Sequence, residues 1–404
     1  MKTAAFLLGA FVSCVSMEGA GQSESARTVG SPALSSLARV AMSENKTASG
    51  RAIAALRAAG YPGLSALLAE GGPVSPRICW SGTGDGSDRW RRWCAAVDAV
   101  AAQRDASASG LYWHTDLERA KQEARSTGKP ILSLRLLGRL DEEMSCANSR
   151  FFRVALYANR EIAPILRDRY VLHWKSERPV PRITVDFGDG RRLERTITGN
   201  SIHYVLDANG NPLDALPGLY GPAAFRRWLL ESEELAAALG RSKAVPLQAV
   251  LASFHAGKLS EASSRWEADR VSAGLSRPRR MVPRRPAGSA VPAAAAMPLT
   301  VSKMAVETPL LAAFSPLEAD LKALSESADW SKLARIRTDD AKLDATSRAL
   351  FERETSSALA SNEALARFES SMARDTVRNE YLFHLRIHQW FAGDPAAWDL
   401  EPAL

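Results

Sequence analysis

Hydrophobic residues in the middle of the chain switch between strand-like and helical spacing. Two short, largely apolar runs, residues 131–137 and 170–174, predict buried strands. Segments between them carry apolar residues three and four positions apart, which predicts helices. Further short runs flank the glycine-containing turns at residues 188–190 and 208–210, a pattern typical of β-hairpins. This order predicts an α/β domain over residues 112–240, with a sheet flanked by helices.

The regions on either side of this domain have a different pattern. Residues 21–111 and 316–404 carry apolar residues at helical spacing and no strand-like runs, so we expect a helical N-terminal region and a helical C-terminal region. Between residues 241 and 315 the periodicity is lost in a basic, Pro- and Ala-rich stretch. Such a composition predicts an extended linker.

The first 20 residues have the pattern of a secretory signal peptide. Lys2 precedes an apolar run over residues 4–15, which is too short to span a bilayer core of about 30 Å. We therefore expect an exported protein of the periplasm or cell envelope. Two cleavage sites stay open. Cleavage before Cys14, in a stretch similar to a bacterial lipobox, would make Cys14 a lipid anchor, whereas ordinary cleavage near Ala20 would remove it.

Charge adds little to the picture of the folded domains. The 404 residues include 52 Lys and Arg against 45 Asp and Glu, a formal net charge of +7. Much of the excess falls in the linker, so we expect a solvated linker and no nucleic-acid partner. The alternative is a tether to an anionic membrane surface. Five arginines would form that tether, namely Arg277, Arg279, Arg280, Arg284 and Arg285.

Five motifs follow one another across residues 112–240. They are an aromatic at Trp113, an acidic helix start at Asp116, Gly128-Lys129-Pro130 before a strand, Cys146-Ala147-Asn148-Ser149 at a helix start, and Asp207-Ala208-Asn209-Gly210 after a later strand. In this order they resemble the thioredoxin-like superfamily, especially its exported branch. The resemblance implies a thioredoxin-like sheet flanked by helices, with the family's functional position at Cys146.

Three positions depart from the family's pattern around that cysteine. Ser149 stands in place of the second cysteine, which gives Cys-x-x-Ser, Ser201 aligns with the proline that faces the first cysteine, and Ser145 replaces an aromatic. A dithiol oxidoreductase needs a second thiol to release a mixed disulfide. We therefore expect no dithiol redox activity.

Cys146 is the candidate reactive residue, and its role has two interpretations. A helix N-terminus favours the thiolate, and Arg150 and Arg153 on the same helix would add to this effect. On this interpretation the chain is a monothiol redox enzyme, oxidoreductase-like or peroxidase-like, in which Ser149 and Arg150 assist Cys146. On the other, which we favour, Cys146 is inert and the domain is a binding or scaffold module of the cell envelope. A third hypothesis is a lipid-anchored structural module with the domain as a spacer.

Two further cysteines are candidates for a disulfide. In an exported protein Cys79 and Cys94 can be oxidised to a bond that closes a loop of roughly 15 residues. Such a bond would contribute on the order of 3 kcal/mol to the free energy of unfolding. The alternative is two reduced cysteines, with Cys94 on a helix predicted for residues 88–106.

The histidines give weaker signals. His384 and His388 lie four residues apart on a predicted helix, a spacing that can place two imidazoles on one metal ion. No Glu follows His384, however, and the nearby Arg378 and Arg386 disfavour a cation. We therefore predict structural histidines here, and no metal or other cofactor. We also expect His203 to be a packed histidine, with a proton carrier as the alternative.

Overall fold

The computed structural model describes residues 32–71, 85–196, 199–241, 245–275, 327–354 and 361–393. These parts of the chain form one four-stranded mixed sheet flanked by helices, with further helices before and after it. The predicted α/β class is therefore confirmed. Within the described ranges, no helix is both long enough and apolar enough to cross a membrane.

Helices before the sheet build a core of their own. They are α1 (Pro32–Ala41), α2 (Lys46–Ala58), α3 (Tyr61–Glu70), α4 (Asp85–Ala101) and the short α5 (Ala106–Ser109). The side chain of Asn45 caps α2 by accepting a hydrogen bond from the Ala48 amide. Trp93 on α4 is buried among these helices, and its indole donates to the Leu67 carbonyl oxygen at 2.8 Å. The hydrogen bond satisfies the one polar atom of that side chain.

The strands are β1 (Ile131–Leu137), β2 (Val171–Arg178), β3 (Arg182–Asp186), β4 (Arg192–Thr196), β5 (Ser201–Leu206) and β6 (Pro212–Pro217). The sheet has the order β2-β1-β5-β6. β2 runs parallel to β1, whereas β5 runs antiparallel to both β1 and β6. β3 and β4 form a separate hairpin, as the glycine-containing turn at residues 188–190 predicts. Nearly all of β1 is buried, because it lies inside the sheet.

Four helices cover this sheet. They are α6 (Leu117–Thr127), α7 (Ala147–Phe151), which continues as a π-helical segment (Phe152–Tyr157), α8 (Ile162–Arg169) and α9 (Pro222–Arg241). α6 begins at Asp116, whose carboxylate accepts a hydrogen bond from the Arg119 amide at 3.1 Å. It ends at Gly128, where a φ of 71° lies in the left-handed region that favours glycine. The motif residues on either side of α6 thus set its two ends.

The segment after α9 is helical where the sequence predicted a linker. α10 (Leu247–Ser272) runs for 26 residues, so the linker predicted for residues 241–315 is corrected over this part. Leu251, His255 and Trp266 are buried on this helix. The buried face of α10 also carries the polar residues His255 and Arg270, so its hydrophobic residues alone show no strong helical period. The helix is stabilised by packing against its neighbours, which a local pattern does not record.

The described residues of the C-terminal region, 327–354 and 361–393, are mainly helical. They contain α11 (Ser327–Ile336), a 3-10 turn (Thr338–Ala341), α12 (Ala345–Glu354), α13 (Asn362–Asn379), a π-helical turn (Glu380–His384) and α14 (Leu385–Gly393). The last three follow one another without a break in the chain. Met372 on α13 and Phe391 on α14 belong to the same buried cluster as the residues of the sheet. The C-terminal helices and the sheet therefore share one core.

A close approach of two backbones fixes this packing. The Gly221 amide donates to Thr376 Oγ1 at 2.7 Å, and Asn379 Nδ2 donates to the Leu219 carbonyl oxygen at 2.7 Å. A Cβ atom on Gly221 would lie 2.1 Å from the Asp340 carbonyl oxygen. Only glycine fits there, because no other residue leaves room for that backbone oxygen.

Candidate functional site

Cys146 is the N-cap residue of α7. Its backbone is extended, with φ −64° and ψ 161°, and its Sγ accepts a hydrogen bond from the Ser149 amide at 3.4 Å. The backbone amides of Asn148 and Asn200 also act on this sulfur as donors. The sulfur thus does what the side-chain oxygen of Ser, Thr or Asp does at most helix starts.

The Cys146 thiol is closed off from solvent. Its exposed fraction is 0%, and it packs against Leu137 at the end of β1 and Val180 before β3. Burial raises the pKa of the thiol, and neither the opposing backbone donors nor the charge of Arg150 cancels this effect. A thiol with a raised pKa stays protonated at pH 7, so Cys146 is a poor nucleophile in the folded chain.

The residues expected to assist the thiol have other surroundings. Ser149 is fully buried, and its hydroxyl has no hydrogen-bond partner among the described residues. Arg150 donates to Thr196 Oγ1, at the end of β4, at 3.2 Å. Arg153 is buried and lies 3.8 Å from the carboxylate of Asp105, so its charge is balanced there. The structure therefore places Cys146, Ser149 and Arg150 near one helix start without joining them into a reactive group.

His203 is packed in the core of the sheet domain. Its Nε2 is hydrogen-bonded to the Tyr157 hydroxyl at 2.7 Å, and its ring meets Phe152 and Phe225 edge to face. Burial lowers the pKa of His203 to about 3. A ring that stays neutral and has no contact with solvent cannot carry protons to it, which agrees with the prediction of a packed histidine.

Several predicted positions lie outside the described residues. Cys14 and Cys79 are among them, so the lipid anchor and the disulfide with Cys94 stay predictions. Cys94 itself is half-buried on α4, against the N-terminal helical core. The proposed membrane tether also lies outside, namely Arg277, Arg279, Arg280, Arg284 and Arg285.

A second group of polar side chains lies where β6 meets the C-terminal helices. Asp214 on β6, His384 in the π-helical turn and His388 on α14 each place one potential ligand atom within 4.8 Å of the others. His384 Nε2 lies 3.2 Å from Asp214 Oδ2, and the two imidazole centroids are 4.1 Å apart. We call these three residues, together with His255, the histidine cluster.

Asp214 is a buried carboxylate with a full set of donors. It accepts hydrogen bonds from the Ala215 amide at 2.7 Å and from Trp228 Nε1 at 2.9 Å. Burial opposes its ionisation, but the charge and the hydrogen bond of His384 act against burial. They hold the pKa of the Asp214 carboxyl below its usual range. Asp214 therefore carries its negative charge at pH 7.

His255 on α10 joins the cluster to the backbone of β6. Its Nδ1 lies 2.8 Å from His388 Nδ1, and its Nε2 lies 2.9 Å from the Leu213 carbonyl oxygen. The ring of Phe391 stacks on His255 with centroids 4.4 Å apart. Burial lowers the pKa of both His255 and His388, so both rings are neutral at pH 7.

A cavity of about 60 Å³ opens beside the cluster. His384 and His388 line it, together with aromatic residues and with charged residues from α9 and α10. The charged residues are paired with one another. Lys258, for example, lies 3.0 Å from both Glu231 and Glu261. His384 is partly exposed beside this cavity, whereas His388 is buried.

Only half of the histidine cluster is visible in the sequence. His384 and His388 share one helix, so their spacing reveals them. Asp214 is 170 residues from His384 and His255 is 133 residues from His388, and no local pattern connects such positions. One signal was present for Asp214. It is a charged residue among the apolar residues of a run predicted to be a hairpin strand, and a carboxylate buried there needs partners.

Comparison of the chain with models of protein families, with curated proteins and with solved structures finds no match in any of the three. The likeness to thioredoxin-like proteins therefore stays a prediction from the sequence. The function has to be argued from the geometry of Cys146 and of the histidine cluster.

Proposed function

We propose that the chain is an exported protein with a thioredoxin-like domain that has no dithiol redox activity and serves as a binding or scaffold module of the cell envelope. The observation that carries the proposal is the complete burial of the Cys146 thiol, whose sulfur caps a helix. In this interpretation the cysteine stabilises the domain and does not react with substrates.

The arrangement of strands and motifs supports the thioredoxin-like part of the proposal. β1 leads through α7 and α8 to the parallel strand β2, and β5 and β6 follow as an antiparallel pair in the same sheet. Cys146 precedes the first helix after β1, which is the position that the resemblance implies. Asp207 and Gly210 lie in the turn after β5, where the later motif of the family belongs.

The chemistry around Cys146 argues against both redox mechanisms. A dithiol mechanism needs a second thiol three residues on, and the Ser149 hydroxyl cannot form a disulfide. A monothiol mechanism needs an accessible thiolate, whereas burial raises the pKa of Cys146 and closes the sulfur to solvent. Binding through the surface of the domain needs neither a second thiol nor an accessible thiolate.

The proposal is tested by exposing the purified, folded full chain to oxidised glutathione and, separately, to hydrogen peroxide. Peptide mass mapping then shows which cysteines carry glutathione or oxygen. We expect the peptide with Cys146 to stay unmodified in the folded chain and to react after unfolding in denaturant. A Cys146–glutathione disulfide formed without unfolding would establish monothiol chemistry and overturn the proposal.

Cys146→Ser is the matched variant. Serine keeps an acceptor at the helix start, so we expect its unfolding free energy to stay within about 1 kcal/mol of the parent chain. Cys146→Ala removes the acceptor and should cost about 1 kcal/mol more. The two variants separate the capping role of the sulfur from any chemical role.

The proposed export rests on Lys2 and the apolar run over residues 4–15. It is tested by expressing the chain with a C-terminal tag in a bacterial host and fractionating the cells. We expect a shortened form outside the cytoplasm, with its new N-terminus near Cys14 or Ala20. A full-length form confined to the cytoplasm would contradict export.

A further inference from the structure

We propose that Asp214, His384 and His388 bind one divalent transition-metal ion of the zinc type. The proposed site goes beyond the proposed function, because none of its residues contributes to the environment of Cys146. Two imidazoles and one carboxylate form a donor set that such ions take, and three protein ligands are typical of sites that keep one position open.

The distances fit a shared ion. Ligand atoms that lie about 2.1 Å from one tetrahedral ion are roughly 3.4 Å from each other. His384 Nε2 and Asp214 Oδ2 are already 3.2 Å apart, and the ligand atom of His388 lies within 4.8 Å of both. A small movement of His388 would complete the set. The two histidines come from one helix and the carboxylate from a strand, so packing of the sheet against the C-terminal helices creates the site.

The hydrogen bonds of His255 set the tautomer of His388. His255 Nε2 faces the Leu213 carbonyl oxygen, which can only accept, so this nitrogen carries the hydrogen. The neutral ring then accepts at Nδ1, and His388 Nδ1 must donate to it. The lone pair of His388 is therefore on Nε2. Metal-binding histidines commonly donate their other N–H to a protein acceptor in this way.

The carboxylate is held in place by similar contacts. The Ala215 amide and Trp228 Nε1 donate to Asp214 and fix its orientation. Such contacts to a metal-binding carboxylate tune its position and charge. His384 ends a π-helical turn, a distortion that recurs at functional sites in helices. The cavity beside His384 and His388 leaves room for a water or a small ligand on the ion.

Arg378 and Arg386, whose charges disfavour a metal ion when only the sequence is considered, have other partners in the structure. Arg386 donates to Gln389 Oε1 at 3.0 Å and lies over the Trp390 ring. Arg378 is buried and lies 3.7 Å from the carboxylate of Asp375. The nearest lysine of the cavity, Lys258, is paired with two glutamates. The objection based on neighbouring positive charge therefore no longer holds.

The test is metal titration of the full chain, purified without an oligohistidine tag and stripped with a chelator. Isothermal titration with Zn²⁺ gives stoichiometry and affinity, and Co²⁺ reports ligand geometry through its visible absorption. We expect one equivalent of Zn²⁺ per chain and Co²⁺ bands typical of four-coordinate sites. We expect His384→Gln and Asp214→Asn to lower the affinity on the order of 100-fold or more.

The control is His114→Gln. His114 is paired with Glu123 and is not part of the proposed site. This variant should bind Zn²⁺ like the parent chain. His384 is partly exposed, so His384→Gln should fold, and circular dichroism of the metal-free variants checks this. Saturable binding that is unchanged in His384→Gln, or no binding up to millimolar metal, would overturn the proposal and leave the histidine cluster as a structural hydrogen-bond network.

Discussion

At the scale of single residues, burial has opposite outcomes for the ionisation of Cys146 and of Asp214. The start of a helix favours a thiolate at Cys146, yet burial raises the pKa of its thiol. Asp214 is also buried, but the charge and hydrogen bond of His384 keep its carboxyl ionised. The same desolvation therefore gives a neutral thiol in one place and a charged carboxylate in the other.

Asp98 on α4 gives a pH test at this scale. Burial and the neighbouring charge of Asp105 raise the pKa of Asp98 from 3.8 to about 7. Between these values the folded chain binds the proton more tightly than the unfolded chain, so stability falls as the pH rises through 7. Asp98→Asn removes this loss. The difference in unfolding free energy between Asp98→Asn and the parent chain should therefore increase, in favour of the variant, by about 3 kcal/mol from pH 5 to pH 8.

Denaturant unfolding of both chains at the two pH values provides this measurement. Asp88→Asn, a change at an exposed position of the same helix, is the control and should show no comparable pH-dependent advantage. An equal advantage of Asp98→Asn at both pH values would mean that Asp98 ionises normally in the folded chain.

At the scale of elements, local signals were sufficient where both ends of an element are marked. Asp116 and Gly128 fix α6, and β1 is recognisable as a largely apolar run. α10 is not recognisable in the sequence because polar residues such as His255 lie on its buried face and its stability comes from packing. The sequence reveals only His384 and His388 of the histidine cluster, because these two share one helix. Asp214 and His255 reach the cluster through contacts between elements that are distant in the sequence.

Gly221 tests the docking of the C-terminal elements on the sheet domain. Alanine there would bring its Cβ to 2.1 Å from the Asp340 carbonyl oxygen, a backbone atom that cannot rotate away. We expect Gly221→Ala to lower the unfolding free energy by about 2 kcal/mol, through the strain of overpacking. Thermal unfolding followed by circular dichroism measures this change.

Gly240→Ala is the matched control, because a Cβ at Gly240 on α9 meets no atom within 4 Å. Alanine is the better helix former, so this variant should be as stable as the parent or slightly more stable. If both alanine variants behaved alike, the close approach at Gly221 would not exist.

At the scale of the whole molecule, a buried ionic network joins the sheet domain to the C-terminal helices. Arg337 lies between Asp340 at 2.6 Å and Glu380 at 2.8 Å, and Arg227 on α9 reaches the same Asp340 at 2.6 Å. Removal of one partner from a buried network leaves an uncompensated charge, which costs about 3 kcal/mol or more. The network therefore couples the stability of the two regions.

Arg337 also lies 3.3 Å from Asp269. We expect Arg337→Met to destabilise the chain by about 3 kcal/mol, because Glu380 and Asp269 lose this close cation and Asp340 keeps only Arg227. Arg335→Met, at an exposed position of α11, should change the unfolding free energy by less than about 0.5 kcal/mol. Tryptophan fluorescence and far-ultraviolet circular dichroism should report one shared transition. Separate transitions for the sheet and the C-terminal helices would contradict the shared core.

We propose that Cys146 is a buried helix cap without thiol chemistry, and the dependence of its alkylation rate on pH is the sharpest test of this proposal. The folded full chain is treated with iodoacetamide from pH 6 to pH 10, and the Cys146 peptide is quantified by mass spectrometry. Because the thiol is buried, we expect almost no labelling of Cys146 below the pH at which the chain unfolds. Rapid labelling of the folded chain, with a midpoint well below the free-cysteine value of about 8.5, would contradict it.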